Sequence, residues 1–257
     1  MSEHLAPRFN SREAAVIAAA RFIKDGDVIV VGQGLPVLVA LFAKKTHAKR
    51  CVIMHEYGVV DMNPPRAVEL AHPLLAETAT YLCDMLDALT SLLYRVDRAF
   101  LGAAQVDRYG NLNTTTIGDY FRPKVRISGS GGANDIGSIA PSSVIIMDGQ
   151  DKSKFPEAVD YNTTPGFFRG SRRDRERFGL PGRGPEAVVT DLGIYRFAPK
   201  TGEMYLSALQ PGAVAENAMA RTGWKLKVAK GIRAVKPPTQ EETRLLRALD
   251  PRRVYLR

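Results

Sequence analysis

Cysteine is scarce in this sequence, which has two such residues among 257. So few cysteines do not make a disulfide framework, and they favour a reducing compartment. No apolar run approaches the roughly 18 residues of a membrane helix. The opening residues, MSEHLAPRFN, lack the apolar segment of a secretory signal. We therefore expect a cytoplasmic protein with no membrane partner.

Motifs for metal and nucleotide chemistry are also missing. The four histidines show neither an HExxH sequence nor another paired-ligand spacing, so a zinc site is not expected. Gly32-x-Gly34 follows an apolar run, but Val37 stands where a dinucleotide fingerprint has its third glycine. No G-x-S-x-G sequence offers a serine nucleophile. Metal and redox cofactors are therefore not predicted.

Charge is unbalanced toward the positive side, with 36 Lys and Arg against 27 Asp and Glu and a formal net charge of +9. This excess fits an anionic partner such as nucleic acid, a membrane surface or a phosphate-bearing small molecule. Part of it lies in FRGSRRDRERFGLPGRG, residues 168–184, which also fits a solvated arginine-rich loop. Because no interleaved aromatic residues or nucleic-acid module accompany it, nucleic acid is not predicted as the partner.

Short apolar runs alternate with helical patterns in the first part of the chain. SREAAVIAAARFIKDGD has apolar residues at helical spacing after a candidate N-cap, Ser11, and LPVLVALFAKK is the next helical pattern. The runs VIVV and CVIMH are typical of buried strands. This alternation predicts an α/β fold with a parallel sheet covered by helices.

The rest of the chain predicts further elements of the same kind. They are a long helix around 75–94, strands near 98–106, in KVRIS and in SSVIIMDGQ, antiparallel strands beyond residue 186, and a last helix that opens with the capping box Thr239-x-x-Glu242. Neither an internal repeat nor a long linker divides the sequence. A single domain over residues 1–257 is predicted.

The segment CVIMHEYGVV, residues 51–60, places a glutamate at the tip of an apolar strand. Glutamate is almost never fully buried unless a partner stabilises its charge, and burying that charge alone costs several kcal/mol. Glu56 therefore either turns out into solvent or lies in a pocket and takes part in chemistry. The local sequence leaves both alternatives open.

Two loop sequences carry groups suited to a substrate. GSGGAND, residues 129–135, has three glycines after a strand, so its N–H groups can converge on an anion or a developing oxyanion. A tight bend before a helix is the alternative. AQVDRYGNLN, residues 104–113, crowds amides into one loop, where Gln105 and Asn111 are candidates for orienting a substrate carboxylate or carbonyl. Turn chemistry explains that loop equally well.

The chain contains, in this order, the segments VIVVGQGLP, HEYG, GAAQVDRYGNLNTTTIGDYFRPKVRISGSGGAND and RERFGLPGRGPEAVVTDLGIYRF. Together they resemble the β subunit of family I CoA-transferases, and within that family the glutaconate CoA-transferase group. The similarity is collinear and covers nearly the whole chain. It implies an open, mostly parallel α/β sheet with helices on both faces. It also implies a related α subunit as partner, with the active site between the two subunits.

The resemblance implies roles for several residues. Glu56 corresponds to the nucleophile of the family, the glutamate of an E-S-G or E-N-G signature at the end of a strand. The glycine loop is implied to lie against the thioester, and its candidate oxyanion and CoA-binding residues are Gly129, Gly131, Gly132, Ala133 and Asn134. Tyr57 stands where the family has serine or asparagine, so its ring is expected to narrow the acyl pocket or stack on the substrate.

The function implied is transfer of CoA between an acyl-CoA and a carboxylic acid, with a dicarboxylate such as glutaconate as one candidate. Ping-pong kinetics through a glutamyl-CoA thioester are expected. CoA is then a substrate, no metal or redox cofactor is needed, and a heteromer of α2β2 or higher order is expected. Arg172, Arg173 or Arg175 is a candidate for steering the CoA phosphates.

Two other functions stay open at this point. Some related members open a steroid-derived ring by hydrolysis of the carbon skeleton of a CoA thioester, and others decarboxylate a glutaconyl-type CoA. In those members the β-chain glutamate tends to be replaced or its role moved. The glutamate at position 56 therefore favours transfer. The alternative from another class is a non-catalytic subunit that binds a ligand or supports assembly.

Overall fold

The structure is a computed structural model that describes residues 9–69, 72–170 and 172–256. Its helices are α1 (Ser11–Ala20), α2 (Leu35–Lys45), α3 (Pro73–Glu77), α4 (Met85–Leu89), α5 (Ala133–Ile139), α6 (Arg172–Arg177), α7 (Ala215–Ala220) and α8 (Gln240–Leu249), with a 3₁₀ turn at Leu93–Arg95. Its strands are β1 (Val28–Val31), β2 (Val52–His55), β3 (Val59–Val60), β4 (Tyr81–Leu82), β5 (Arg98–Gly102), β6 (Gln105–Val106), β7 (Leu112–Asn113), β8 (Thr116–Gly118), β9 (Pro123–Arg126), β10 (Ser143–Ile146), β11 (Pro185–Val189), β12 (Gly193–Phe197), β13 (Met204–Leu209) and β14 (Lys227–Val228).

Ten of these strands form one sheet in the order β14-β13-β12-β11-β10-β5-β1-β2-β3-β4. The five central strands, from β11 to β2, run parallel to one another. Antiparallel pairs flank them, β12 and β13 on one side and β3 and β4 on the other. The predicted α/β class, with a mostly parallel sheet and an antiparallel part beyond residue 186, is therefore confirmed.

Helices cover both faces of the sheet, because alternate residues of the central strands point to opposite sides. Ile29 and Val31 belong to the apolar core that includes α1, α2 and α8. Val30 belongs to the second core, which includes residues of α5 and α7. The central strands are thus buried on both faces, which is why their sequences are continuous apolar runs.

The chain reverses its direction across the sheet at β1, which pairs with β2 on one side and β5 on the other. In register, Val31 lies opposite His55 of β2 and Phe100 of β5. The loops after these three strands therefore leave the sheet at the same edge. Such a reversal point opens a crevice at the carboxyl ends of parallel strands, where ligands bind in open α/β sheets.

Three helix boundaries test the sequence predictions directly. Helix α2 spans the predicted LPVLVALFAKK, and α8 begins after Thr239 with the predicted capping box to Glu242. The predicted N-cap of α1 was wrong by one residue, because Asn10 caps the helix and forms a capping box with Glu13. Glu13 is also buried against α8, where its Oε1 lies 2.6 Å from Nε of Arg247.

The predicted long helix around 75–94 is wrong. The segment instead forms α3, the edge strand β4, α4 and a 3₁₀ turn. Thr78 ends α3, Tyr81 and Leu82 pair with β3, and Asp84 caps a new helix with its side chain. Pairing with the sheet edge and a strong new cap thus override the helical pattern of the apolar residues.

The predicted strand over 98–106 is also divided. Strand β5 ends at Gly102, and Gln105–Val106 is β6, which pairs with β7 outside the main sheet. The predicted strand before the glycine loop is β9, which pairs with β8 in a further two-stranded sheet. Within the described ranges, no helix has the length and apolar character needed to cross a membrane.

Candidate active site

Glu56 lies at the carboxyl edge of the sheet, directly after the last residue of β2. The chain turns there, with the Gly58 N–H donating to the His55 carbonyl at 2.9 Å. Gly58 has a φ of +85°, and a Cβ at this position would overlap the Cys83 carbonyl. A glycine is therefore required for the turn that places the carboxylate at the mouth of the crevice.

The Glu56 side chain is buried and has a fixed partner. Its residue is 4% exposed, and Oε2 accepts a hydrogen bond of 2.9 Å from the N–H of Gly132. Burial raises the pKa of Glu56 above its usual value, while hydrogen bonding from Gly132 and from the Gln33 side chain opposes that rise. Of the two alternatives that the sequence left open, the structure shows the pocket and not the solvent.

The glycine loop lies against this carboxylate. A Cβ at Gly132 would stand 2.8 Å from Glu56 Oε2 and 2.6 Å from Leu89 Cδ2, and one at Gly131 would stand 3.5 Å from Oε2. Gly131 also has a φ of +49°. Two of the three candidate glycines of this loop thus approach Glu56 closely, and the absence of side chains makes that approach possible.

The N–H groups of this loop differ in their availability. Those of Gly129 and Ala133 donate to the carbonyls of Thr114 and Ser130, both at 2.9 Å, and that of Asn134 donates to Ser130 Oγ. The Asn134 side chain donates to Thr163 O at 2.8 Å. Among the residues that the structure describes, the N–H groups of Ser130 and Gly131 have no hydrogen-bond partner. Two unpaired donors therefore lie in the loop beside Glu56.

A cleft of about 370 Å³ opens at this point. Its lining residues are Gly32, Gln33, Glu56, Tyr57, Leu101, Gly102, Ala103, Ala104, Thr114, Ile127, Ser128, Gly129, Ser130, Gly131 and Ala133. They come from the loops after β1, β2 and β5 and from the glycine loop. Within this described lining, Glu56 is the sole charged side chain, and the other side chains are the Gln33 amide, hydroxyls and apolar groups. The cleft therefore offers a neutral, partly apolar environment to an acyl group.

Gln33 and Tyr57 meet at the rim of the cleft, where the Gln33 amide Nε2 donates to the Tyr57 hydroxyl. The Tyr57 ring stacks on His55, with 5.0 Å between ring centroids and 26° between planes. Sequence analysis missed Gln33, because Gly32-x-Gly34 was considered only as a nucleotide motif. Its position after β1, the neighbour of β2, is the signal that points to it.

Gln105 and Asn111, predicted to orient the substrate, do not reach the cleft. Gln105 Nε2 donates to Asp160 Oδ2 at 3.1 Å, and its Oε1 accepts from Asn113 at 2.7 Å. Asn111 Nδ2 donates to Asp107 Oδ2 and to the Phe168 carbonyl, both at 2.8 Å. We correct the prediction accordingly: these amides are buried, and their hydrogen bonds connect loops of the protein.

Arg175, predicted to steer the CoA phosphates, is a buried structural residue, so that prediction is wrong. It is 2% exposed, and its guanidinium donates to backbone carbonyls, including those of Gly137 at 2.7 Å and of Pro165 and Gly182 at 2.8 Å. The Arg172 side chain lies outside the described residues, and Arg173 is exposed at the start of α6. A phosphate-binding role for Arg173 stays a prediction.

Groups that would bind a metal do not assemble in the described part of the chain, where no three His, Cys, Asp or Glu residues form a suitable cluster. His55, next to Glu56, is buried, and burial lowers its pKa to about 4. Its Nδ1 accepts the N–H of Tyr57 at 3.3 Å. The imidazole is therefore neutral at physiological pH and supports the Tyr57 ring.

The family model for coenzyme A transferases matches residues 12–219 of this chain. The β subunit of glutaconate CoA-transferase from Acidaminococcus fermentans is 38% identical over 96% of this chain and 95% of its own length. The corresponding subunit of 3-oxoadipate CoA-transferase from Pseudomonas knackmussii is 37% identical over 95% of this chain and 94% of its own length. Both similarities extend over nearly the whole of each protein.

A comparison with solved structures agrees with the sequence comparisons. The crystal structure of glutaconate coenzyme A-transferase from Acidaminococcus fermentans superposes with a TM-score of 0.89 at 34% sequence identity. The match covers 97% of this chain and 98% of that one. The fold is thus shared over nearly the whole of both chains.

Proposed function

This chain belongs to the coenzyme A transferase family and is a β-type subunit of a CoA-transferase, and from that premise we propose that Glu56 is the nucleophile that carries CoA during transfer. One observation supports the assignment above the others: the Glu56 carboxylate is buried at the end of β2 and accepts the Gly132 N–H inside the cleft. A carboxylate removed from water loses the hydration that makes it a weak nucleophile.

The proposed reaction proceeds by two exchanges, the first at the acyl carbonyl of the acyl-CoA and the second at the glutamyl carbonyl. Glu56 attacks the thioester carbon of an acyl-CoA, the carbon–sulfur bond breaks, and an acyl-glutamyl anhydride and CoA thiolate form. The thiolate then attacks the glutamyl carbonyl, which gives a glutamyl-CoA thioester and releases the first carboxylate. A second carboxylate reverses these steps, so ping-pong kinetics are expected. Each step exchanges one acyl bond and requires no redox change.

We propose that Gly131 donates its N–H to the oxyanion that forms in each attack, since this N–H is unpaired among the described residues and lies beside Glu56. Such a donor typically stabilises the transition state by about 3 kcal/mol. The Gly132 N–H orients the nucleophile itself. Gly129, Ala133 and Asn134 contribute to the shape of the loop, because their backbone donors are already paired.

The relatives named above act, by their names, on glutaconate and 3-oxoadipate. We propose that this chain also transfers CoA to and from carboxylic acids of this size, with coenzyme A as substrate. A second carboxylate on the acyl chain would meet hydroxyls but no cation in the described cleft lining. A dicarboxylate such as glutaconate therefore needs a cation from the companion subunit.

Both relatives are named as one subunit of a larger enzyme, which implies a companion α subunit. We propose that it docks on an exposed apolar surface, here called the β4–α4 surface, which consists of Tyr81, Leu82, Met85, Leu86 and Tyr94. Groups of large exposed apolar side chains are typical of protein interfaces. This surface borders the active site, because Cys83 pairs with Gly58 and Leu89 packs at Gly132.

An α subunit bound to the β4–α4 surface would exclude water from the cleft. We propose an α2β2 or larger assembly in the cytoplasm.

The test is a covalent adduct on Glu56. The complex of this chain with its companion subunit is incubated with acyl-CoA without an acceptor acid, and half is treated with borohydride before peptide mass spectrometry. We expect a CoA-sized adduct on the peptide with Glu56 that disappears on reduction and is absent in Glu56→Gln. Turnover of the acyl-CoA with Glu56 unmodified would contradict the assignment and favour hydrolysis or decarboxylation.

A further inference from the structure

We propose that the Tyr57 hydroxyl, oriented by Gln33, donates a hydrogen bond to an oxo or hydroxyl oxygen of the acyl chain, so that this subunit selects oxygen-bearing acyl groups over plain aliphatic ones. The inference rests on the transferase function proposed above. It concerns Tyr57, which directly follows Glu56 in the sequence and lines the same cleft.

The Tyr57 ring has little freedom to move. It stacks on the buried His55 ring, with 5.0 Å between the ring centroids. The backbone N–H of Tyr57 also donates to His55 Nδ1 at 3.3 Å. The residue is nevertheless 39% exposed and lines the cleft. A ring that is fixed on one face and open on the other presents its hydroxyl to the substrate at little cost in conformational entropy.

The direction of the hydrogen bond at Tyr57 leaves one donor unused. Gln33 Nε2 has no free lone pair and donates, so the Tyr57 oxygen accepts and its own proton points elsewhere. Among the described residues, no acceptor for that proton is present. The hydroxyl therefore has no acceptor among the described residues, and at the rim of the cleft an acceptor on the substrate can take the place of water.

Gln33 connects this donor with the nucleophile. Its side chain contacts the Tyr57 hydroxyl and lies beside the Glu56 carboxylate, where its hydrogen bond opposes the rise of the Glu56 pKa that burial causes. It also lines the cleft. Because the side chain is neutral, it can place both neighbours without pairing with the carboxylate as a cation would. Gln33 is thus a positioning residue, and Tyr57 is the residue that touches the substrate.

The lining of the cleft indicates which oxygen is recognised. Leu101 and Ile127 are apolar, Thr114 and Ser128 carry hydroxyls, and Glu56 is the one charged group of the described lining. A substrate carboxylate next to Tyr57 would be repelled by Glu56 and would find no counterion in the described lining of the cleft. A neutral oxo or hydroxyl oxygen has neither disadvantage.

The experiment compares two CoA esters that differ by one oxo oxygen, butyryl-CoA and 3-oxobutyryl-CoA, with acetate as acceptor and the assembled complex as enzyme. We expect wild type to prefer the oxo ester in kcat/KM. Tyr57→Phe should lower kcat/KM for 3-oxobutyryl-CoA about tenfold more than kcat/KM for butyryl-CoA, as the loss of one hydrogen bond predicts. Gln33→Leu should lower the ratio of kcat/KM for 3-oxobutyryl-CoA to kcat/KM for butyryl-CoA, because the Tyr57 hydroxyl then lacks the side chain that orients it.

The matched control is Tyr205→Phe, since Tyr205 lies in β13, far across the sheet order from β2. It should leave the ratio unchanged. An equal loss for both esters in Tyr57→Phe, or an unchanged ratio, would overturn the specificity proposal. The Glu56 adduct is measured on the same samples: if it forms while the ratio stays constant, only the specificity proposal fails. If wild type consumes either ester without the adduct, the proposed function fails and this inference with it.

Discussion

Glu56 Oε2 and the N–H of Gly132 lie 2.9 Å apart, although 76 residues separate them in the chain. The carboxylate comes from the end of β2 and the amide from the residue that precedes α5. A Cβ at Gly132 would fall 2.8 Å from that oxygen. The Glu56 nucleophile and the glycine loop that is proposed to stabilise the oxyanion are therefore coupled as one unit. A change in the position of either one displaces the other.

Replacement of Gly132 tests this unit. A Cβ there would stand 2.6 Å from Leu89 Cδ2 and 2.8 Å from Glu56 Oε2, so Gly132→Ala must move the loop or the carboxylate. We expect kcat/KM of the complex to fall by about 10²–10³, the typical cost of one misplaced oxyanion-hole donor. Gly26→Ala is the control, because a Cβ there meets nothing within 4 Å, and its φ of +91° strains an alanine more than the φ of −83° at Gly132 does. If Gly132→Ala retains full activity, the proposed coupling is wrong.

The raised pKa of Glu56 predicts a pH-dependent stability. A carboxyl group whose folded pKa lies above its ordinary value of 4.5 stabilises the fold below that value and loses this contribution as pH rises through the folded pKa. Glu56→Gln should therefore raise Tm relative to wild type at pH 7 and should match wild type near pH 4. Thermal unfolding of both complexes from pH 4 to 8 measures the difference. If the difference in Tm between the two complexes is constant from pH 4 to 8, burial of the Glu56 carboxylate has no cost in stability.

The pair of Glu13 and Arg247 predicts a stability effect far from the active site. Glu13 is almost fully buried, and Arg247 Nε and Nη2 donate to its carboxylate at 2.6 and 2.9 Å. Arg247→Met removes the charged partner and should destabilise the fold by about 1–3 kcal/mol, less than for a fully buried pair because Arg247 is half exposed. Urea unfolding measures it, with Arg244→Met on the exposed side of α8 as control. Equal effects of the two variants would contradict the prediction.

Charged substitutions in the β4–α4 surface should prevent assembly with the companion subunit. Leu82 and Leu86 are 55% and 72% exposed there, so charge at both positions should not alter the fold of the isolated chain. Leu82→Glu with Leu86→Glu should abolish co-purification with the companion subunit, because two carboxylates would be desolvated in the interface. Met219→Glu is the control, since Met219 is also exposed but lies in α7, which packs on β13. Normal assembly of the double variant would exclude this surface as the docking site.

Much of the fold follows from local patterns in the sequence. The apolar runs that became β1, β2 and β10 are continuous because both faces of these strands are buried, and helix α2 follows the predicted segment from first to last residue. Glu56 stood out for the same reason, since a carboxylate at the tip of such a strand contradicts the apolar pattern around it. The failure over 75–94 shows the limit: apolar residues at helical spacing there serve an edge strand and two short helices.

Only the tertiary structure decided which polar groups meet. The sequence indicated Glu56 and the glycine loop separately, whereas the folded chain shows that Gly132 reaches the carboxylate and that Gln33 reaches Tyr57. It also turned two candidates, Asn111 and Arg175, toward backbone carbonyls of distant loops. Apolar periodicity repeats within a segment and can be read locally. A polar side chain in a loop has no such repeat, and its partner is set by which segments the sheet brings together.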